Sequence, residues 1–396
     1  MSTLIEVQVD DRVSVTGYLV LDSFVGGEAH GGLRIAADVT AERLRDAAHT
    51  MTLKYGWAGL PVGGAKAGIL VPEGTKELDR TLMIRNFGRA IEPYLKSGRY
   101  VPGEDMGSSV DDIKVLLRAA GLHPKPWSLM FAASGLYTGV GVCAAALATA
   151  AVLDLPAKDL RVSIEGFGTV GSSAARRFHQ AGAKVVAVST IKGGLYDENG
   201  LDVTALLSLR RRHGDDCVLR YEQGEALKST SLAAVPAHVF CPCAVMHSIT
   251  MDNVASVRAG IICPGANVPA TDEAQAVLEE RGVAFLPDFV ANCGGVMGSS
   301  MSRAGLRRDE VAAIVARRLH EKTELLVIDA REQQRTLRDM ATELALKYFA
   351  EAKARYEQKS AKQALLRLGV GIYRRGLVPR PLLRPLGRRY YNPPQP

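Results

Sequence analysis

Several features that would define a simple class of protein are missing from this chain of 396 residues. Its six cysteines lack the spacing of a disulfide framework or of a zinc site, so reduced thiols in the cytoplasm and no bound metal are expected. The N-terminus lacks a signal-peptide pattern. The longest apolar run, near residues 140–153, is short and rich in alanine, which predicts a packed helix rather than a membrane span.

Acidic residues are absent from residues 359–396, which contain nine lysines and arginines. The net charge of the whole chain is +7, and subtracting these nine leaves about −2 for the remainder. A nucleic-acid or acidic-membrane surface on the body of the protein is therefore not indicated. The lack of periodicity predicts that residues 358–396 form a poorly ordered basic tail. This tail is either simply solvated or bound to an acidic partner that the sequence does not identify.

Local patterns predict an ordinary globular chain of two domains, with 47% hydrophobic and 23% charged residues. Residues 6–21 alternate as strands do, residues 40–57 and 78–94 have helical periodicity, and residues 101–109 suggest a loop. Thr40 is a candidate N-cap. From residue 160 to residue 287, strand-like runs alternate with helical segments, which indicates a parallel sheet covered on both faces.

These patterns predict an α/β protein of two domains with a cleft between them. Residues 1–131, completed by helices at about 326–357, would form the first α/β domain. Residues 132–325 would form a Rossmann-like, doubly wound cofactor domain.

A glycine-rich turn marks the cofactor domain. Gly166, Gly168 and Gly171 match G-x-G-x-x-G, with Thr169 and Val170 at the start of the predicted helix. The turn follows a predicted strand at 160–165, and a second strand follows the helix. In such a turn the backbone approaches a pyrophosphate, which lies at the helix N-terminus. The pattern therefore predicts a site for NAD or NADP.

A carboxylate is missing where many NAD-binding domains hold the ribose 2′-hydroxyl. Thr190 stands at the end of the second predicted strand, and Lys192 follows it. The lack of a negative charge and the nearby lysine favour NADP, or the use of both cofactors. A solvated loop charge is the alternative for Lys192.

Two lysines and one aspartate are candidates for chemistry. Lys54 ends an apolar helical stripe, Lys66 lies among glycines, and Asp105 lies in a segment bounded by glycine and proline. Desolvation in a confined cleft would lower the pKa of a lysine ammonium and suit it to acid–base catalysis. Solvated surface charges are the alternative for each residue taken alone.

Taken together, these residues resemble the glutamate/leucine/phenylalanine/valine dehydrogenase family over about residues 17–355. The resemblance rests on eight blocks in the order of the family: residues 31–34 with 38–40, 51–54, 61–66, 103–107, 138–141, 166–171, 265–267, and 287–288 with 291–296. It implies reversible oxidative deamination of an L-amino acid to a 2-oxo acid and ammonia, with NAD(P). It also implies that the first domain binds the substrate and carries a dimerisation surface, and a homo-oligomer is therefore expected.

The resemblance also implies individual roles. Lys54 would hold the substrate α-carboxylate, with Gly32 in the same substrate site. Lys66 would polarise the carbonyl and activate water, and Asp105 would move protons to and from the amino group. The cofactor side would include Thr138, Asn267 and Asn292.

The identity of the amino acid is less clear. His30 stands where glutamate-specific members have a lysine for the γ-carboxylate, whereas Ser299 stands where they have a serine for the same group. Glutamate is the leading prediction. The alternatives are an apolar amino acid, as in the leucine, valine and phenylalanine enzymes, or a nucleotide-binding homologue without activity.

Overall fold

The computed structural model describes residues 2–123, 134–358 and 380–391. The chain divides into two compact units, Met1–Ala132 with Leu344–Leu382, and Ala133–Glu343 with Leu383–Pro396.

The first unit contains a five-stranded sheet in the order β1-β2-β4-β3-β5. Its strands are β1 (Thr3–Val9), β2 (Val15–Leu21), β3 (Ala29–Ala36), β4 (Gly63–Leu70) and β5 (Tyr100–Glu104). Its helices are α1 (Ala41–Ala58), α2 (Glu77–Ala90), α3 (Glu92–Lys96) and α4 (Val110–Ala119). Strand β3 runs parallel to β4 and β5, whereas β2 pairs antiparallel with β1 and β4.

The two faces of this sheet differ because alternate side chains of a strand point to opposite sides. Leu33, Ala67 and Phe87 belong to the apolar core on one face. Helix α1 covers the other face, where a Cβ on Gly64 or Gly68 would collide with α1 side chains. The predicted N-cap is confirmed, since the Thr40 side chain accepts a hydrogen bond from the backbone N–H of Arg43. Val20, Leu44 and Ala48 form a smaller apolar cluster between the sheet and α1.

Two local predictions in this unit need correction. The segment containing Pro102 was expected to be a loop, but it forms the edge strand β5, where a residue without an N–H is tolerated. The single helix predicted over 78–94 is broken into α2 and α3 at Ile91, and Pro93 lies in the first turn of the second helix.

The second unit contains a seven-stranded sheet in the order β12-β11-β10-β6-β7-β8-β9. Its strands are β6 (Arg161–Glu165), β7 (Lys184–Thr190), β8 (Gly193–Tyr196), β9 (Glu225–Leu227), β10 (Val239–Pro242), β11 (Ile261–Ile262) and β12 (Ala284–Phe285). Its helices include α5 (Ser134–Val152), α6 (Thr169–Gln180), α7 (Val203–His213), α8 (Asp272–Glu280), α9 (Asp288–Ala291), α10 (Gly294–Arg303) and α11 (Arg308–Glu332). Short 3₁₀ helices span Ala157–Asp159, Gly214–Leu219, Ser229–Ala234 and Val254–Ser256.

Strands β12, β11, β10, β6 and β7 are parallel, as the alternating pattern predicted. The apolar run predicted to be a packed helix lies in α5. This helix is long and apolar enough to cross a membrane by composition, but 67% of its apolar window is buried inside the protein. Most of its length is thus covered by neighbouring elements, as in the core helix of a soluble protein.

The predicted domain boundary near the C-terminus also needs correction. Helix α11 was expected in part to complete the first unit, but it packs along α5 and belongs to the second. The C-terminal part of the first unit instead begins at residue 344, within α12 (Leu337–Glu357).

The C-terminal segment contradicts part of the predicted tail. Residues Arg380–Tyr391 form a helix, α13, rather than a segment without order. Arg384 and Arg388, one turn apart, both bind the carboxylate of Glu310 at the start of α11. The hydroxyls of Tyr391 and Ser300 lie 2.6 Å apart. Charge counting alone missed this acidic partner within the chain, and the rest of the predicted tail lies outside the described residues.

Candidate functional site

A buried ion pair lies on the α1-covered face of the first sheet. The Lys66 Nζ lies 2.9 Å from the Asp105 Oδ2, and the two side chains are 5% and 12% exposed. Lys66 lies within β4, and Asp105 directly follows β5. Burial of two charged groups is costly unless they are paired with good geometry. The structure therefore brings together the two predicted catalytic residues.

A third charged group joins this pair. The Arg34 Nε donates to the same Asp105 Oδ2 at 3.0 Å, and the Arg34 side chain is 8% exposed. Arg34 belongs to the first block of the resemblance, but no role was predicted for it. Two cations therefore surround one carboxylate, which gives the site a local excess of positive charge suited to an anionic substrate.

Glycines allow the strands to approach closely at this point. A Cβ on Gly32 would lie 2.7 Å from the Cβ of Asp105 and 2.6 Å from the Glu104 carbonyl oxygen. A Cβ on Gly64 would lie 2.3 Å from the Thr52 Oγ1 of α1. Side chains at these positions would displace either Asp105 or α1. Gly32, predicted in the substrate site, thus shapes the surroundings of Asp105.

The electrostatic balance at Asp105 favours the ionised carboxylate. Burial by itself would raise the pKa of Asp105, but the positive charges and hydrogen bonds of Lys66 and Arg34 outweigh it and lower the pKa. Asp105 is thus a carboxylate at neutral pH, able to accept a proton.

Lys54 lies on α1, the helix that covers this face of the sheet, and it is 8% exposed. The neighbouring Tyr55 ring contacts the His30 imidazole edge to face, with the ring centroids 6.3 Å apart. His30 shares its face of β3 with Gly32 and Arg34. Its Nε2 lies 3.4 Å from the Glu28 Oε2. The sequence analysis overlooked Glu28, because its position next to His30 depends on the loop before β3.

The second unit holds the glycine turn in the predicted context, between β6 and α6. Gly166 has φ +88°, a conformation that favours glycine, and its N–H donates to the Ser189 Oγ at 3.1 Å. A Cβ on Gly171 would lie 2.0 Å from the Gly166 carbonyl oxygen. Both glycines are therefore required by the turn itself.

Gly168 has a different role in the turn. It caps the N-terminus of α6, and a Cβ built on it would meet no atom within 4 Å. Open space at the N-terminus of a 12-residue helix, with Thr169 and Val170 in its first turn, fits the pyrophosphate of a dinucleotide. These residues fit the predicted cofactor.

The end of β7 contains a polar cluster. The Thr190 hydroxyl donates to the Asp215 carbonyl oxygen at 2.8 Å and accepts from the Lys192 N–H at 3.2 Å. Thr190 therefore holds the backbone of Asp215 close to β7, and the Asp215 carboxylate pairs with Arg210 at 3.0 Å. Lys192 is exposed. The sequence analysis missed Asp215 because it is distant from the turn along the chain.

The predicted asparagines meet near the carboxyl ends of the parallel strands, where α/β domains bind ligands. The Asn292 Nδ2 donates to the Asn267 Oδ1 at 2.9 Å and to the Ala266 carbonyl oxygen at 3.3 Å. The buried Asn292 Oδ1 has no hydrogen-bond partner among the described residues. Thr138 donates to the Ser134 carbonyl oxygen and packs against Gly295.

Ser299 lies within α10 and is 3% exposed. Its hydroxyl has no hydrogen-bond partner within the described part of the chain. An unsatisfied buried hydroxyl is costly, which is typical of a group that binds a ligand.

Comparison with known proteins decides the family. Residues 134–356 match the sequence pattern described as Glutamate/Leucine/Phenylalanine/Valine dehydrogenase, and residues 2–120 match the dimerisation domain of the same enzymes. The chain belongs to the Glu/Leu/Phe/Val dehydrogenase family. The resemblance stated from its motifs is thereby confirmed.

Several members of this family align with most of the chain. Glutamate dehydrogenase of Thermotoga maritima is 32% identical over 309 residues, which cover 73% of each chain. Glutamate dehydrogenase B of Halobacterium salinarum is also 32% identical, covering 72% of this chain and 70% of the relative. The NAD-specific glutamate dehydrogenase of Staphylococcus aureus is 31% identical and covers 74% and 73%.

Solved structures show the same fold. A hetero-hexameric glutamate dehydrogenase from Thermus thermophilus, in a leucine-bound form, superposes with a TM-score of 0.72 at 25% identity, covering 89% and 88% of the two chains. L-tryptophan dehydrogenase from Nostoc punctiforme superposes with a TM-score of 0.63 at 20% identity, covering 89% and 96%. The predicted two-domain α/β fold with a Rossmann-like domain is confirmed, as is the enzyme class, an NAD(P)-dependent amino acid dehydrogenase.

Proposed function

We propose that this family member catalyses the reversible oxidative deamination of L-glutamate to 2-oxoglutarate and ammonia. The observation that carries the proposal is the buried contact between Lys66 and Asp105, which places a hydrogen-bond donor and a proton acceptor side by side. The cofactor carries the hydride chemistry, but the loss of protons from the amino group and the addition of water to the imine need a proton acceptor and a hydrogen-bond donor beside the reacting carbon.

Three charged residues of the first unit act on the substrate, each on a different group. In amination, Lys66 donates to the 2-oxo oxygen and stabilises the negative charge that develops there when ammonia adds to that carbon. In deamination, it orients the water that adds to the imine carbon, after which ammonia leaves as the 2-oxo acid forms. Asp105 takes a proton from the amino group in deamination and returns it in amination. The Lys54 ammonium holds the α-carboxylate.

The second unit binds the cofactor through Gly166, Gly168 and Gly171, with Thr169 and Val170 at the start of α6. NAD(P), when bound, supplies the acceptor or donor of the hydride. Thr138, Asn267 and Asn292 bind at the cofactor side. The buried Oδ1 of Asn292 lacks a partner among the described residues and would be available to accept a hydrogen bond from a bound cofactor.

Two observations bear on the choice of glutamate. The unsatisfied hydroxyl of Ser299 suits a γ-carboxylate, and the curated relatives named above are glutamate dehydrogenases. An apolar amino acid is the second candidate, because the Glu28 carboxylate lies 3.4 Å from His30 and would repel a second carboxylate there.

A panel of 2-oxo acids tests the proposal. Purified protein is assayed with ammonia, with either NADH or NADPH, and with 2-oxoglutarate, 4-methyl-2-oxopentanoate, 3-methyl-2-oxobutanoate or phenylpyruvate. We expect the highest kcat/KM with 2-oxoglutarate. A preference for one of the apolar oxo acids would support the second candidate, and cofactor binding without any turnover would indicate an inactive homologue.

His30 and Glu28 give a prediction on specificity. His30→Lys places a fixed cation at this position, and we expect kcat/KM for 2-oxoglutarate to rise roughly tenfold, which corresponds to one hydrogen bond to a charged group. Glu28→Gln removes the competing carboxylate and should raise kcat/KM for 2-oxoglutarate by a smaller factor. Glu73→Gln, on an exposed loop of the same unit, is the matched control. An unchanged ratio between 2-oxoglutarate and apolar substrates in both variants would exclude His30 from the side-chain pocket.

We propose NADP as the preferred cofactor, because the Asp215 carboxylate near β7 is already paired with Arg210 and Lys192 carries a positive charge nearby. Replacing Lys192 with alanine should raise the KM for NADPH roughly five- to tenfold and leave the KM for NADH unchanged. Lys184→Ala, at the opposite end of β7, is the control. Equal effects on the two cofactors, measured from initial rates, would contradict the assignment.

We also propose that the protein is a cytoplasmic homo-oligomer. The match of residues 2–120 to a dimerisation domain supports the oligomer, and the six free cysteines fit a reducing compartment such as the cytoplasm. The mass measured by light scattering tests it, and a monomer at micromolar concentration would contradict it.

A further inference from the structure

We infer that Arg34 is a positioning residue for the reaction, which holds Asp105 by its Oδ2 and leaves Oδ1 as the oxygen that exchanges protons with the substrate amino group. The inference rests on the proposed function and adds a residue to it. It starts from the contacts of Asp105. Both the Arg34 Nε and the Lys66 Nζ lie within 3.0 Å of the same oxygen, Oδ2.

The two cations differ in what they are able to do. Lys66 has a flexible stem, and in the proposed reaction its ammonium turns to the substrate oxygen. Arg34 has a planar guanidinium that does not lose its proton in proteins. When Lys66 engages the substrate, Arg34 therefore remains as the fixed positive charge that keeps Asp105 ionised and correctly oriented.

The location of Arg34 supports this role. It lies on β3, and at 8% side-chain exposure it is shielded from the water that would weaken an ion pair on the surface. Gly32, on the same face of β3, leaves room for the Asp105 side chain, since any Cβ there would lie 2.7 Å from the Asp105 Cβ. The β3 segment thus provides both the space and the charge for one carboxylate.

Other titratable groups lie on the elements packed around Asp105. They are His30 on β3, Tyr100 and Glu104 on β5, and Lys54 and Tyr55 on α1. The substitutions used here leave all of them unchanged, so a shift in titration between the variants is assigned to position 34.

The test compares Arg34→Gln, Arg34→Lys and the wild type in the pH profile of kcat for oxidative deamination at saturating glutamate. Asp105 acts as an ionised base, so activity falls as pH decreases through its pKa. Without the guanidinium, we expect the acid limb to move to higher pH by about one unit or more. We also expect kcat at neutral pH to fall about 10- to 100-fold, with KM changing less than about threefold. Arg34→Lys should restore the acid limb but only part of kcat, because lysine lacks the planar guanidinium.

A matched control separates this role from folding. Arg80 pairs with Asp112 in the same unit, with contacts of 2.8 and 2.9 Å, and donates to the Gly107 carbonyl oxygen, two residues after Asp105, at 2.7 Å. Its loss therefore tests whether a general disturbance near Asp105 moves the acid limb. Arg80→Gln should lower stability without moving the acid limb. The titration of the Asp105 carboxyl, followed by ¹³C NMR in wild type and Arg34→Gln, gives a readout independent of turnover.

The outcomes distinguish the two proposals. The role of Arg34 would be overturned if the acid limb of kcat and the Asp105 titration were the same in Arg34→Gln and wild type. Glutamate turnover by the wild type would still support the proposed function in that case. Absence of turnover in the wild type would refute the proposed function, and the NMR titration would then decide whether Arg34 controls Asp105.

Discussion

Substituting Lys66 with alanine is expected to lower kcat/KM for 2-oxoglutarate by roughly 10²- to 10³-fold, the loss typical when one donor to a developing negative charge is removed. The Lys66 Nζ is the only cation on a mobile stem found within 3 Å of Asp105 in the described part of the chain. Removing it leaves Asp105 with the Arg34 guanidinium but without the ammonium assigned to the substrate oxygen. The measurement is the initial rate of NADPH consumption with ammonia and 2-oxoglutarate.

The same variant should stay folded, because Asp105 keeps Arg34 as its counter-charge. Circular dichroism and the oligomer mass, compared with those of wild type, check this. Lys114→Ala is the matched control, since Lys114 pairs with Asp111 on the surface of α4. Near wild-type activity in Lys66→Ala would remove the basis for the proposed function.

The cofactor half of the molecule was largely predictable because its signals are local. Strand β6, the turn at 166–171, helix α6 and strand β7 follow one another within 30 residues, and each has its own pattern of glycines or apolar residues. What the sequence did not reveal was Asp215 beside Thr190, a contact between residues 25 apart that depends on the path of the chain after α7.

The substrate half was predictable only in its parts. The motifs singled out Lys66 and Asp105, but their contact depends on the order β4-β3-β5, which places strands from distant parts of the sequence side by side. Arg34 was not recognised as part of the site, because its contact with Asp105 depends on the pairing of β3 with β5, which no local pattern shows. Strand β5 itself was missed, since glycine and proline in so short a segment are more typical of a loop.

The C-terminal helix shows the limit of composition. The lack of periodicity in this basic segment predicted a poorly ordered tail, yet two arginines of α13 pair with Glu310, a residue more than 70 positions earlier. A run of basic residues stays in solvent only if the fold places no acidic side chain beside it. The sequence alone does not show whether such a side chain is near.

Asp105→Asn is expected to lower kcat roughly 10²- to 10⁴-fold, because an amide keeps the shape of the side chain but does not accept a proton at neutral pH. The KM for glutamate should change little, since the α-carboxylate is held by Lys54. Asp111→Asn, on the exposed face of α4, is the control. A kcat within about threefold of wild type would show that another group moves the proton.

The same substitution should also destabilise the first unit, because Lys66 and Arg34 would remain buried without a counter-charge, at a cost of about 3–5 kcal/mol at neutral pH. The sign of the pH dependence follows from the lowered pKa of Asp105 in the folded protein. The contribution of the Asp105 carboxylate to the free energy of unfolding is complete above its ordinary pKa of 3.8. This contribution is lost as pH falls through the lower pKa of the folded protein. Urea unfolding of wild type and Asp105→Asn should therefore show a gap in stability that is constant near neutrality and narrows below this value. A gap that widens on acidification would mean that Asp105 is not held as a carboxylate by its two cations.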